Sequence, residues 1–147
     1  MQEKILDPAR VMEEYNALWK EQNEIYSAAA RRFGLSDSAM WTLYFLRQGG
    51  GSCSQKEICS NMFQPKQTVN STIKQLESRG YVRLSSGDDR RCRTVTLTDE
   101  GDRLAQQTSD LVITGERQAI AEFPPEEREQ LIALLRKYNQ KLRERLK

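Results

Sequence analysis

Apolar residues recur along the first third of the chain at three- and four-residue spacing. Val11/Met12, Tyr15, Leu18/Trp19, Ile25/Tyr26, Ala29/Ala30 and Phe33 fall on one side of a helical wheel, which predicts a long amphipathic helix. Asp7-Pro8 supplies its cap and a pre-set first turn, and Leu6 and Val11 are placed to staple the entry. Gly34 ends it. Ser36 then caps a second helix carrying Ala39, Met40, Leu43, Tyr44 and Leu46, stopped by Gly49-Gly50-Gly51. Ser54-Gln55-Lys56-Glu57 reads as a capping box opening a short third helix with Ile58 and Met62 inside. After a tight turn, Pro65 starts a fourth helix that runs to Arg79 and stops at Gly80, with Val69, Ile73 and Leu76 on one face.

The period then changes to two. Val82 and Leu84 share a face of Tyr81–Leu84, and Val95 and Leu97 share a face of Arg93–Leu97. The connection Ser85-Ser86-Gly87-Asp88-Asp89-Arg90-Arg91-Cys92 has turn chemistry, so the pair reads as a β-hairpin. Thr98 caps a fifth helix, favoured by Asp99 and Glu100 in its first turn, that continues past Leu104, Leu111 and Val112 towards Phe123, with Gly115 as its weak point. Pro124-Pro125-Glu126-Glu127 starts a sixth, carrying Leu131, Leu134/Leu135, Tyr138, Leu142 and Leu146. The expected fold class is mainly α with a small β-hairpin, without internal repeat or low-complexity linker.

Composition narrows the function. At 147 residues and 37% hydrophobic content, the chain has modest core material for one compact domain, and such chains often complete their core by dimerising. No apolar run approaches the ~18 residues of a membrane helix. The acid-rich N-terminus lacks a signal-like apolar stretch, so no membrane partner and a cytoplasmic location are expected. Cys53, Cys59 and Cys92 make an odd count without a close pair, which argues against a disulfide framework. Histidine is absent, removing most zinc sites, the His-based triads and the commonest general base. There is no glycine-rich phosphate loop and no cysteine with a partner base. Neither an enzyme nor a metal or cofactor is expected.

Charge is unevenly distributed. Residues 55–98 hold eight Lys/Arg against four acids, a net +4 that leaves −2 for the rest. Within this segment, two helices joined by a tight turn and followed directly by a basic hairpin form a winged helix-turn-helix pattern. Opposite its apolar face, the fourth helix shows Lys66, Gln67, Asn70, Ser71, Lys74 and Ser78, with Glu77 its lone acid. Gln and Asn can pair with adenine, and Lys with guanine, in the major groove, and the helix N-terminus offers free N–H groups to phosphate. An ordinary amphipathic surface helix has the same pattern. The hairpin tip adds Arg90, Arg91 and Arg93, whose guanidinium groups can reach a narrow minor groove, while Asp89 makes sense there as a partner fixing an arginine rotamer.

The run Asp89-Arg90-Arg91-Cys92-Arg93-Thr94-Val95-Thr96-Leu97-Thr98-Asp99-Glu100-Gly101 resembles the wing of the MarR family of bacterial regulators, in which Asp-x-Arg is followed after five residues by Leu-Thr-x-x-Gly. Pro65-Lys66-Gln67-Thr68-Val69 through Leu76-Glu77-Ser78-Arg79-Gly80-Tyr81-Val82 is similar to the family's recognition helix and its exit into the wing. The resemblance covers nearly the whole chain. It implies a sequence-specific double-stranded-DNA-binding regulator, commonly a repressor, acting as a homodimer. Residues 1–34 and 99–147 would be dimerisation helices around a DNA-binding lobe at 35–98, in one intertwined domain. Arg91 would enter the minor groove, oriented by Asp89, with Lys66, Gln67, Thr68, Asn70, Ser71 and Lys74 on the major groove or its phosphates. Two-fold symmetry then predicts a pseudo-palindromic site with half-sites roughly 34 Å apart.

The family commonly responds to a small, often aromatic ligand between the DNA-binding lobe and the dimer helices. Tyr26, Ala30, Trp41, Tyr44 and Val112 are the candidate lining, though the same residues suit plain core. Absence of histidine argues against the family's zinc-sensing mechanism, and absence of a cysteine in the first helix against its peroxide-sensing one. Cys92, between arginines that favour its thiolate, is a candidate redox switch or an incidental small residue; Cys59 fits the core. A winged-helix module that binds protein rather than DNA is the alternative.

Overall fold

A computed structural model describes residues 7–86 and 93–147. Asp89, Arg90, Arg91 and Cys92 therefore lie outside the described residues, as does Leu6. In chain order the elements are α1 (Pro8–Arg32), α2 (Asp37–Gln48), β1 (Ser52–Ser54), α3 (Gln55–Asn61), α4 (Lys66–Ser78), β2 (Val82–Ser86), β3 (Arg93–Leu97), α5 (Asp99–Gln107), α6 (Ser109–Ala121) and α7 (Pro125–Arg145). They fall into two compact units, one ending at Leu111 and one spanning Val112–Lys147.

In the first unit the predicted caps are made. Asp7 Oδ1 accepts from the backbone N–H groups of Ala9 and Arg10 at 2.9 and 3.1 Å. Ser36 Oγ accepts from Ala39 N at 3.1 Å. The capping box is reciprocal: Glu57 N donates to Ser54 Oγ at 3.1 Å, and Ser54 N donates to Glu57 Oε2 at 3.0 Å. Thr98 Oγ1 accepts from Gly101 N at 3.1 Å. Each bond satisfies an otherwise orphaned helix N–H, a contribution of about 1 kcal/mol apiece.

The core follows the predicted apolar faces. Leu46, Ile58, Met62, Val69, Ile73, Leu76, Val82 and Val95 form one buried cluster joining α2, α3, α4 and the sheet. The sheet has three antiparallel strands in the order β1-β3-β2, where the sequence predicts a two-stranded hairpin. The extra strand, β1, pairs Ser52 with Thr96, Cys53 with Val95 and Ser54 with Thr94. Three residues are too few for a period-two signal, and Ser-Cys-Ser has no strong β preference. Its place is fixed by turn geometry: Gly50 and Gly51 adopt φ of 75° and 96°, which L side chains rarely take. Val82 faces Leu97 and Leu84 faces Val95 across the other pair, so both hairpin faces are as expected.

The predicted fifth helix is two. It breaks at Thr108 (φ −134°, ψ −88°), and Gly115 lies inside continuous α6. Thr108 Oγ1 donates to Leu104 O at 2.7 Å, the kind of back-bond by which Thr competes with helix continuation. Arg47 of α2 braces the break. Its Nη1 meets Asp102 Oδ1 at 2.6 Å and its Nε meets Asp110 Oδ1 at 2.8 Å, one carboxylate on each side. Burial lowers the Arg47 pKa, but hydrogen bonds to Asp102 and then Asp110 outweigh it, so the guanidinium is held above its ordinary range.

In the second unit, Arg128 ties the start of α7 to the end of α6. Its Nε donates to Phe123 O at 2.8 Å and Ile120 O at 3.1 Å, and its Nη2 to Ala121 O at 3.0 Å, satisfying carbonyls that a helix end leaves open. No residue of α7 is buried.

Candidate nucleic-acid interface

The helix whose polar face the sequence singles out is α4, and its orientation is over-determined. Val69, Ile73 and Leu76 are buried towards the core. Thr72 Oγ1 lies 2.8 Å from Ser38 Oγ, tying α4 to α2. Gln55 Nε2 donates to Asn70 Oδ1 at 2.6 Å, tying it to α3. Glu77 Oε2 accepts from the backbone N–H of Leu84 at 3.3 Å, tying it to β2. The single acid of α4 thus engages the wing strand.

The remaining face is open. Lys66, Gln67, Thr68, Ser71 and Lys74 are exposed, and Asn70 is half-buried on the flank nearest α3. Ser71 Oγ donates to Gln67 O at 2.9 Å, which leaves its lone pairs outward. Pro65, before the first residue of α4, makes no side-chain cap bond, so the first N–H groups of the helix remain available to an anion. Arg93 is exposed at the start of β3.

A cleft of about 600 Å³ brings part of this set together. Lys66, Asn70 and Arg93 line it, with Gln55, Lys56 and Ser60 of α3. Gln55 and Lys56 are additions the sequence reading does not make. Their only sequence signal is adjacency to the capping box, which fixes where α3 starts but not which element its first turn faces. Asp89, Arg90 and Arg91, which follow β2 and precede β3 in the chain, lie outside the described residues.

The candidate ligand residues separate. Tyr26 and Trp41 line a cavity of about 420 Å³ with Trp19, Phe45, Phe63 and Gln64. Among the described residues, Gln64 Oε1 is buried without a hydrogen-bond partner. Trp41 packs at 4.8 Å from Tyr26 and 5.1 Å edge-on from Tyr44, by ring centroids. Tyr44 is half-buried and Ala30 is fully buried, and neither lines this cavity. Val112 belongs to the second unit.

Cys53 and Cys59 are free thiols, both half-buried. Burial and then the charge of Glu57 push the Cys53 thiol up from its ordinary value. Among the described residues no helix is long and apolar enough to cross a membrane, and no cluster of His, Cys, Asp and Glu could hold a metal ion.

Two helices meeting at a short turn, the second followed by an antiparallel wing, define a winged helix-turn-helix protein. A model of the MarR family matches residues 33–91. The HTH-type transcriptional regulator YwoH of Bacillus subtilis (strain 168) is 35% identical over 108 residues, covering 74% of this chain and 78% of that relative. A MarR/EmrR family transcriptional regulator from Acinetobacter sp. ADP1 is 27% identical, with a TM-score of 0.69 over 95% of this chain and 99% of that one. Sco3205 of Streptomyces coelicolor, a MarR family regulator solved in complex with DNA, shares the fold at 20% identity, with a TM-score of 0.74 over 96% of this chain and 92% of that one. The chain belongs to the MarR family and is a DNA-binding transcriptional regulator.

Proposed function

We propose that the chain is a cytoplasmic homodimeric repressor that occupies a pseudo-palindromic operator and releases it when a small aromatic ligand binds. The observation carrying the DNA reading is the composition of the open face of α4. Lys66, Gln67, Thr68, Ser71 and Lys74 are exposed together, and Glu77 meets the wing. In this reading α4 enters the major groove, Asn70 joins its base contacts, and Arg90, Arg91 and Arg93 reach the minor groove and its phosphates with Asp89 orienting Arg91.

Uncovered apolar side chains support the dimer. On α1, Leu18 and Trp19 are 63% and 59% exposed, and on α7 Leu131, Ile132, Leu134 and Leu135 are exposed too. Residues 1–34 and 99–147 are the proposed dimerisation segments, flanking a DNA-binding lobe at 35–98. The cavity beside Trp41 supports the ligand. Its lining is aromatic, and the unpartnered Gln64 Oε1 favours a ligand carrying an O–H or N–H donor.

Selection from a random-duplex library at two salt concentrations, with Arg91→Ala in parallel, tests the DNA reading. Enrichment of a palindrome, with affinity falling steeply in salt and weakened by the substitution, is expected. Weak binding without enrichment, indifferent to Arg91, would instead favour a protein-binding winged helix. Quenching of fluorescence in a Trp41-only variant by candidate phenols tests the ligand.

A further inference from the structure

Among the described residues of the reading face, Asn70 is held by its oxygen from a neighbouring helix. Gln55 Nε2 donates to Asn70 Oδ1 at 2.6 Å, and both side chains are half-buried. Gln55 is well anchored for this. It is the first residue of α3, and the residue before it, Ser54, is fixed twice: by the reciprocal capping box with Glu57 and by pairing with Thr94 in the sheet. Ile58 of the same helix and Met62, the residue that caps its end, are buried in the cluster that holds α4. The position of Gln55 relative to α4 is therefore set by packing, capping and strand pairing together. Lys56, Lys66 and Arg93 line the adjoining cleft, three cations that would draw a phosphate to this flank and place Asn70 at the edge of the groove.

A free asparagine reads adenine with both ends of its amide, accepting from N6 and donating to N7. With Oδ1 turned to α3, Asn70 presents its NH₂ instead. Guanine offers two adjacent acceptors, O6 and N7, to such a group. Adenine offers one acceptor and an N6 donor left without a partner, and an unmet polar group in a desolvated contact is penalised. We propose that Gln55 is a specificity-positioning residue that, by holding Asn70 Oδ1, makes the recognition helix select guanine over adenine at one position of each half-site. This rests on the reading that α4 enters the major groove.

The test is the base profile of the full-length protein selected on random duplexes, for wild type, Asn70→Ala, Gln55→Ala and Gln55→Glu. Wild type should prefer guanine over adenine by about tenfold at one position per half-site, within the range for a good side-chain–base pair, and Asn70→Ala should erase that preference. Gln55→Ala frees the Asn70 amide to rotate, so adenine becomes acceptable there. Gln55→Glu can only accept a hydrogen bond, so Asn70 turns its nitrogen to α3 and its oxygen outward, and an amino-bearing base, adenine or cytosine, replaces guanine. A purely structural role for Gln55 would weaken every duplex alike and leave the profile unchanged. An enriched palindrome whose Asn70-dependent position ignores both Gln55 variants, or already prefers adenine in wild type, overturns the inference alone. Failure of wild type to enrich any sequence overturns the underlying reading as well.

Discussion

Gly101 stands in the first turn of α5, where helix propensity alone predicts that Gly101→Ala stabilises by up to ~1 kcal/mol. Packing predicts the opposite. A Cβ built on Gly101 would lie 1.9 Å from Tyr81 O, 2.8 Å from Tyr81 C and 3.2 Å from Leu97 Cδ2. The first two atoms are backbone and cannot rotate away, so the α5 start and the Tyr81 peptide must separate by more than 1 Å (about the shortfall from ordinary van der Waals contact). That movement strains two bonds at the same junction. Thr98 N donates to Tyr81 O at 3.1 Å, and Thr98 Oγ1 donates to Gly80 O. Overpacking costs about 1–3 kcal/mol and each weakened hydrogen bond about 1 kcal/mol, so the net loss after the propensity gain is about 2–4 kcal/mol. For a chain of this size that corresponds to a fall in Tm of roughly 5–15 °C.

Urea and thermal unfolding at fixed protein concentration measure it, with Gly115→Ala as the control. Nothing lies within 4 Å of a Cβ at Gly115, inside α6, so that variant should be neutral or stabilised by up to ~1 kcal/mol. Opposite signs for two glycines in helices are the expected result. A Gly101→Ala midpoint at or above wild type would refute the close-approach argument. The same junction leads from α4 into the wing, so Gly101→Ala should also weaken DNA binding at temperatures where the protein remains folded.

Arg47→Ala removes both carboxylate contacts across the Thr108 break and should cost about 1–2 kcal/mol in urea unfolding, the lower end of the charged-bond range because Asp102 and Asp110 are partly solvated. Cys53 has its folded pKa above its ordinary 9.0 through burial and then Glu57, so its contribution to stability is complete below about pH 9 and is lost as pH rises towards the folded value. Urea midpoints at pH 8 and pH 10 should differ more for wild type than for Cys53→Ala; equal differences would exclude this origin. Lys74→Ala should weaken all duplexes alike and reduce the salt slope of binding by about 1, as loss of one phosphate contact requires; a base-specific loss would instead give Lys74 a guanine contact. Leu134→Glu and Leu135→Glu should shift sedimentation towards the monomer if α7 is buried between subunits.

Sequence pattern carried most of the architecture because the deciding signals are local. The Asp7, Ser36, Ser54 and Thr98 caps use side chains within three residues of the groups they satisfy, and the Val69-Ile73-Leu76 stripe declares its face by period alone. What escaped is non-local. β1 exists because Gly50 and Gly51 turn a three-residue segment onto β3, forty-odd positions away. The Thr108 break depends on a local back-bond, which the sequence permits without requiring, and on Arg47 of α2. At the interface, the identity of the open α4 residues was readable, but their restraint was not. Nothing in the order of residues joins Gln55 to Asn70 or makes Glu77 a partner of the Leu84 N–H rather than a repulsive charge.

Those restraints bear on how such a helix can discriminate among DNA sequences. A reading helix packed only by apolar side chains can roll and slide by fractions of an ångström at little cost, and can fit several base steps by adjustment. Here Ser38 holds Thr72, Gln55 holds Asn70 and the Leu84 N–H meets Glu77, so α2 and α3 fix the middle of α4 and β2 fixes its C-terminal end. Any roll that improves a contact at one end strains a polar bond at the other, at about 1 kcal/mol for each bond lost. Discrimination then falls to the chemistry of the side chains. The physical consequence is that substitutions at the three anchors (Ser38, Gln55 and Glu77) should broaden base preference more than they lower affinity for the best site. Substitution of an open phosphate-contacting residue such as Lys74 should do the reverse.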